Sequence, residues 1–342
     1  MSMKDQIKQL SEQYDVEIVA RYHSLRANLA KSKERLNQVA NEILASSLTT
    51  EGNIETIAVA GSYARLEASD SSDLDVLVVL KSHDNQQDIH DKVLTFVESI
   101  GFSRPNPKGV FSQPITVDKL MSLAGDTHET YGDLSRRILL LLESRPVYNA
   151  TKYNSLMETL ISNYAADVSN QKGRKTKNFV FLLNDIIRYF RTICVNYQFT
   201  KEGTEWGKWP IRNVKLRHSR VLMYFSLVAS LGALSNYFSE DKVEALSTLI
   251  QLEPLRRLYV VYNLSGDTGF FRAAGFYNVF LDSLNNEAVR TRLAEIDYDN
   301  RYDSREFAIL KANSDAFAAE LLRFLDARRG VWSDRFFEYL VF

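Results

Sequence analysis

The stretch Ile54-Glu-Thr-Ile-Ala-Val-Ala-Gly-Ser-Tyr-Ala-Arg-Leu-Glu-Ala-Ser-Asp-Ser-Ser-Asp-Leu-Asp-Val-Leu-Val-Val-Leu80 decides the fold. Its two ends, 54–60 and 74–80, are short apolar runs rich in β-branched residues and bounded by Gly, Ser and Asp. Both read as buried strands with a loop or short helix between them. Side chains two apart on a strand point the same way, so Asp73 and Asp75 should share one face while Leu74 and Val76 point into the core. Gly61, directly after the first run, permits a tight turn and a close approach of backbone to a ligand.

The period changes on either side of this stretch. Before it, Ile7, Leu10, Tyr14, Val16, Ile18, Val19 and Tyr22 recur at steps of three and four, and a second series runs through Leu36, Val39, Ala40, Ile43 and Leu44. The first 48 residues are therefore expected to be helical. After it, His83-Asp-Asn opens a helix through Ile89, Val93, Phe96 and Val97 to Gly101. Pro105, Pro107 and Gly109 then mark a loop, followed by an extended run from Val110 to Ile115 and a helix after Thr116. Beyond residue 127 the pattern is mostly helical, including the apolar Ile138–Leu142. The expected class is α+β: a small α/β domain, with a mixed sheet and flanking helices, plus a mostly helical C-terminal domain. The expected divisions are 1–48, helices packing on the domain that carries the acids; 49–150, that domain itself; and 151–342, a helical substrate-binding or interaction domain.

A chain of 342 residues that is 45% hydrophobic and 25% charged is ordinary for a folded two-domain protein. The single cysteine, Cys194, excludes an internal disulfide framework and a cysteine zinc cluster. The N-terminus is charged from Lys4 and lacks the apolar core of a signal peptide, and no run reaches the length of a membrane span, so a cytoplasmic location is expected. The net charge of −1 hides an asymmetry: residues 172–220 hold twelve Lys/Arg against three acids, a local excess of nine positive charges.

Two carboxylates on one strand face suit hard divalent cations, and two Mg2+ (or Mn2+) ions held there can serve an in-line displacement at phosphorus. Gly61 lets the backbone approach a phosphate, and Ser62 adds a hydroxyl and an amide donor. Arg65 is a further candidate for phosphate contact. Taken alone, an Asp-x-Asp pair is more often part of a polar loop. Here the strand before, the glycine turn, the spacing and the apolar strand after it agree.

These residues resemble the DNA polymerase β superfamily of nucleotidyltransferases, whose signature is a Gly-Ser turn followed by a spaced Asp-x-Asp strand. Val110–Leu120 and Leu134–Pro146 are similar to the nucleotidyltransferase region of PII uridylyltransferases and their relatives. The resemblance implies a metal-dependent enzyme that moves a nucleoside monophosphate from a nucleoside triphosphate to an acceptor hydroxyl, releasing pyrophosphate. Asp73 and Asp75 would be catalytic and metal-binding, and Gly61 and Ser62 nucleotide-binding. The superfamily often adds a third carboxylate on a later strand. From Phe102 to Val117 there is no Asp or Glu, and Asp118 is the nearest candidate, with a first-turn helix role as its alternative.

The basic segment offers Lys172–Lys177, Lys208, Arg212, Lys215, Arg217 and Arg220 as contacts for a triphosphate or an RNA backbone, with Arg212 and Lys215 favoured after Pro210. Tyr189, Phe190, Tyr197 and Trp209 are stacking candidates, although aromatics at helical spacing are more often core. The spacing of Arg212 and His218 matches a ribonuclease-type Arg/His pair, for which chance is the better explanation. A protein side chain, an RNA 3′ end and another nucleotide stay open as acceptors. A partner protein or a second copy could engage the helical C-terminal domain. The alternative reading is a non-catalytic nucleotide- or RNA-binding regulator with a degenerate transferase site.

Overall fold

The computed structural model describes residues 2–107, 109–122, 129–165, 179–199 and 209–341. The basic run Lys172–Lys177 and Lys208 lie outside the described residues. The chain divides into two compact units, Ala27–Asn170, and Met1–Arg26 together with Gln171–Phe342.

The first unit is built on a four-stranded mixed sheet. Its strands are β1 (Ile54–Ala60), β2 (Asp75–Leu80), β3 (Ile115–Thr116) and β4 (Ser144–Tyr148), in the order β3-β2-β1-β4. β1 runs antiparallel to both β2 and β4, whereas β2 and β3 are parallel. The two central strands are the apolar runs read from the sequence, and they are buried on both faces. One face packs Ile57, Val59, Val76, Val78 and Leu80 against Leu36, Val39 and Ile43 of α2 (His23–Leu44) and Ile89, Val93 and Val97 of α4 (Gln86–Ser99). The opposite face of β1 meets α6 (Tyr131–Leu142) and α7 (Ala150–Tyr164). The sheet is thus the middle of three layers, as apolar residues on both of its faces require.

Three expectations are corrected in detail. β4 falls in a region expected to be helical; its Pro146 suits the edge of the sheet, where one missing N–H breaks no central ladder. The run Val110–Ile115 is extended only at its end, since Val110–Ser112 forms a 3-10 turn before β3. The N-terminal series is interrupted by a π-helical turn at Asp15–Val19, between α1 (Met3–Tyr14) and α2. The wider turn shifts the phase, leaving Val16 exposed while Ile18 and Val19 are buried.

The second unit is helical among the described residues. α1 packs on the helices Ser239–Ile250 and Pro254–Leu264, and Arg256 ties it down through a paired contact with Asp15 at 2.7 and 2.9 Å. Tyr189 is core, Phe190 stacks on Tyr224 at 4.3 Å, and Trp209 meets Tyr298 edge-on at 4.7 Å. His218 is fully buried: Nδ1 donates to the Val214 carbonyl at 2.9 Å and Nε2 accepts from Asn313 at 3.0 Å. An imidazole so enclosed is part of the packing, which removes the Arg/His pair from the candidate chemistry. No helix among the described residues is long and apolar enough to cross a membrane.

His90 of α4 is also fully buried, and its ring has only a weak interaction with the Phe111 backbone to offset that burial. Burial pushes its pKa down from 6.5 to about 4. The unfolded chain therefore takes up a proton at a pH where the folded chain does not, so this site costs stability as pH falls from about 6.5 to about 4. We predict that His90→Leu flattens the pH dependence of urea-unfolding free energy in this window relative to the unaltered protein. An unchanged slope would place the histidine in contact with solvent.

Candidate functional site

Ala60, the last residue of β1, lies between Asp75 of β2 and Ser144 of β4 in the sheet register. Chain reversal follows at once. Gly61 has φ +70°, in the left-handed region, and opens the four-residue helix α3 (Gly61–Ala64). A Cβ at position 61 would collide with Oδ2 of Asp75. The glycine therefore lets the turn close directly over the carboxylate at the start of β2. Ser62 follows, half-buried, its carbonyl accepting from the Glu67 amide at 2.8 Å.

Asp73 is exposed and Asp75 half-buried, while Leu74 and Val76 are 3% and 4% exposed. The alternation expected of a strand thus extends back to Asp73, although regular pairing begins only at Asp75. Gly61, Ser62 and Asp75 are brought together by the pairing of β1 and β2, and Asp73 stands exposed two residues before Asp75 on the chain.

Arg65, expected at the phosphates, is instead a buried tie beneath the turn. Its Nε donates to Glu67 Oε2 at 2.8 Å and its Nη1 pairs with Glu143 Oε2. The three side chains are 6%, 6% and 0% exposed. Leu66, between the two partners on the chain, has φ +60°, a conformation that non-glycine residues adopt rarely. Arg145 of β4 adds a further tie, donating from Nε to the Ala64 carbonyl at 2.8 Å. Glu67 and Glu143 were not singled out by motif reading. The available signal was Glu143 itself, a charge set directly against the apolar run Ile138–Leu142.

Asp118 is not part of this constellation. It sits in the first turn of α5 (Val117–Met121), beside the strand end where Leu80 pairs with Thr116. Asp75 starts that same strand, so roughly 17 Å of β-rise separates the two ends of β2. The neighbouring Thr116 side chain and the contact with His83 Nε2, at 3.1 Å, hold the Asp118 carboxyl down at about 2. Among the described residues no group of three or more His, Cys, Asp or Glu is arranged to hold a metal. Arg212 and Lys215 lie in the short helix Trp209–Lys215 of the other unit, the first half-buried and the second exposed.

Two variants test this geometry. Arg65→Met removes the guanidinium between two buried carboxylates, and breaking a buried pair costs roughly 3–5 kcal/mol, which chemical unfolding should register. Gly61→Ala should leave the fold intact but displace the Asp75 carboxylate, lowering any activity of the site by about 10²-fold, as small misplacements of reacting groups do.

Residues 41–106 match the family described as Nucleotidyltransferase domain. No curated protein and no solved structure matches the chain.

Proposed function

We propose, from the match of residues 41–106 to the family described as Nucleotidyltransferase domain, that this chain transfers a nucleoside monophosphate from a nucleoside triphosphate to an acceptor hydroxyl. The observation that carries the reading is the closure of the Gly61-Ser62 turn over the Asp75 carboxylate, with Asp73 two residues before it on the chain. It brings a backbone able to approach a phosphate and a pair of hard oxygen donors to one sheet end.

The donor set suits divalent cations. Asp73 is exposed and Asp75 half-buried, and carboxylate oxygens are the ligands that Mg2+ and Mn2+ favour. Two such ions, when bound, neutralise the phosphates and polarise the α-phosphorus. Asp73 and Asp75 hold the carboxylate positions fixed at the strand start. Ser62 supplies a hydroxyl beside the triphosphate, and Gly61 leaves room for the phosphate chain. The acceptor hydroxyl oxygen forms its bond to the α-phosphorus as the bond to the β-phosphate oxygen breaks; pyrophosphate leaves and the hydroxyl proton passes to solvent. Arg65, Glu67 and Glu143 tie the turn to the start of β4. Arg212 and Lys215, on the helical unit, are proposed as phosphate-binding cations.

The test is label transfer from each of the four α-labelled nucleoside triphosphates, with Mg2+ or Mn2+, into total RNA, protein or small products of a cell lysate. Asp73→Ala/Asp75→Ala should abolish incorporation, by more than about 10²-fold. Incorporation that survives the double substitution would overturn the assignment of these acids.

A further inference from the structure

A second site adjoins the Gly61-Ser62 turn within the same unit. A groove of about 360 Å3 runs between α2 and α3, lined by Lys31, Glu34, Arg35, Tyr63, Asp70 and Phe102. Its volume falls within the range of small-ligand pockets. Lys31, Glu34 and Arg35 stand three and four residues apart on α2, so their side chains share one helix face.

The cations in this groove are only partly matched by acids. The Arg35 guanidinium lies over the Phe102 ring, 4.7 Å from its centroid, and donates to the Ile100 carbonyl at 2.6 Å. Among the described residues it pairs with no carboxylate. It is a fixed cation without a counter-ion. Tyr63 meets the same Phe102 ring edge-on at 5.7 Å, and its hydroxyl makes no hydrogen bond among the described residues. Lys31 pairs only with Asp70, whose side chain is 91% exposed, and surface pairs of this kind yield readily to a better ligand. Glu34 is exposed, so both acids belong to the rim together with the half-exposed Lys31, while Arg35 is half-buried and Tyr63 buried behind them.

We propose that this groove binds the phosphoryl group of a nucleotide-sized ligand without help from a metal ion. Arg35 offers a planar fork of donors already oriented by Phe102 and Ile100, Lys31 a mobile second charge, and Tyr63 a neutral hydroxyl. Glu34 and Asp70 on the rim can accept from sugar hydroxyls. Burial raises the Tyr63 pKa, Arg35 lowers it, and Asp70 and Asp73 raise it. The phenol therefore feels both the groove's cation and one of the proposed metal-binding acids. A ligand seated here lies beside the transfer site. The phosphoryl group belongs either to the acceptor or to the donor's triphosphate tail. The link to transfer rests on the nucleotidyltransferase reading, whereas the binding itself does not.

The experiment is calorimetric titration of the full chain with adenosine 5′-monophosphate in the presence of EDTA, with adenosine as the control lacking phosphate. Binding should be seen with the unaltered protein and with Asp73→Ala/Asp75→Ala. It should weaken at least tenfold in Arg35→Ala, less in Arg35→Lys, and severalfold in Tyr63→Phe, which keeps the ring contact with Phe102. Titration with ATP and Mg2+ then identifies the source: affinity unchanged in Arg35→Ala assigns the groove to the acceptor, and affinity reduced in parallel assigns it to the donor. The proposal is overturned if the unaltered protein does not bind the monophosphate, if adenosine binds equally well, if Arg35→Ala and Tyr63→Phe bind like the unaltered protein, or if binding is lost with Asp73 and Asp75. Failure of label transfer would leave these binding results standing, so the two readings fall separately.

Discussion

A side chain at position 61 would displace the Asp75 carboxylate, whose Oδ2 stands where a Cβ would lie. This contact joins the two halves of the signature. It makes a left-handed glycine at the end of β1 a condition for placing an acid at the start of β2. Because Ala60 pairs with Asp75 on one side and Ser144 on the other, the same point fixes the edge strand as well. The three-layer packing around β1 and β2 serves to hold this point still, since a strand buried on both faces cannot slip register without exposing apolar residues.

The turn is held from beneath by charge. Arg65 joins Glu67, on its own segment, to Glu143, which is 78 residues away. Buried pairs of this kind add little net stability compared with apolar packing, but they penalise every arrangement that separates the partners. Their contribution here is specificity: the turn after β1 and the start of β4 must assemble together. An arginine two residues beyond a Gly-Ser-Tyr sequence invites a phosphate role, and only the long-range pairing with Glu143 reveals the other one.

Much of the site was legible because its signals are local. Periodicity marked β1 and β2, and a two-residue spacing placed Asp73 and Asp75 on one side. Signals that depend on tertiary contact were not legible. β4 carries Ser-Arg-Pro at its start, with none of the alternation that marks a half-buried strand, and it exists because β1 offers an open edge. The π-helical turn at Asp15–Val19 rotated Val16 out of a stripe that spacing alone assigned to the core. Asp118 was near enough in sequence to be considered with the acids, yet parallel pairing of β3 with β2 puts it at the far strand end. The cations Lys31 and Arg35 drew no notice within an amphipathic helix, where charged residues usually mark a solvated face.

Sequence patterning also explains why the helical unit is harder to interpret. Its aromatics and its buried His218 satisfy one another, so residue types suited to binding serve as core. The measurement that bears most directly on the central claim is a crystal structure of the chain grown with Mn2+ and a non-hydrolysable nucleoside triphosphate. Anomalous density at bonding distance from both Asp73 and Asp75, with the phosphates against Gly61 and Ser62, is the expected result. Manganese bound elsewhere, or a triphosphate seated away from this turn, would contradict it.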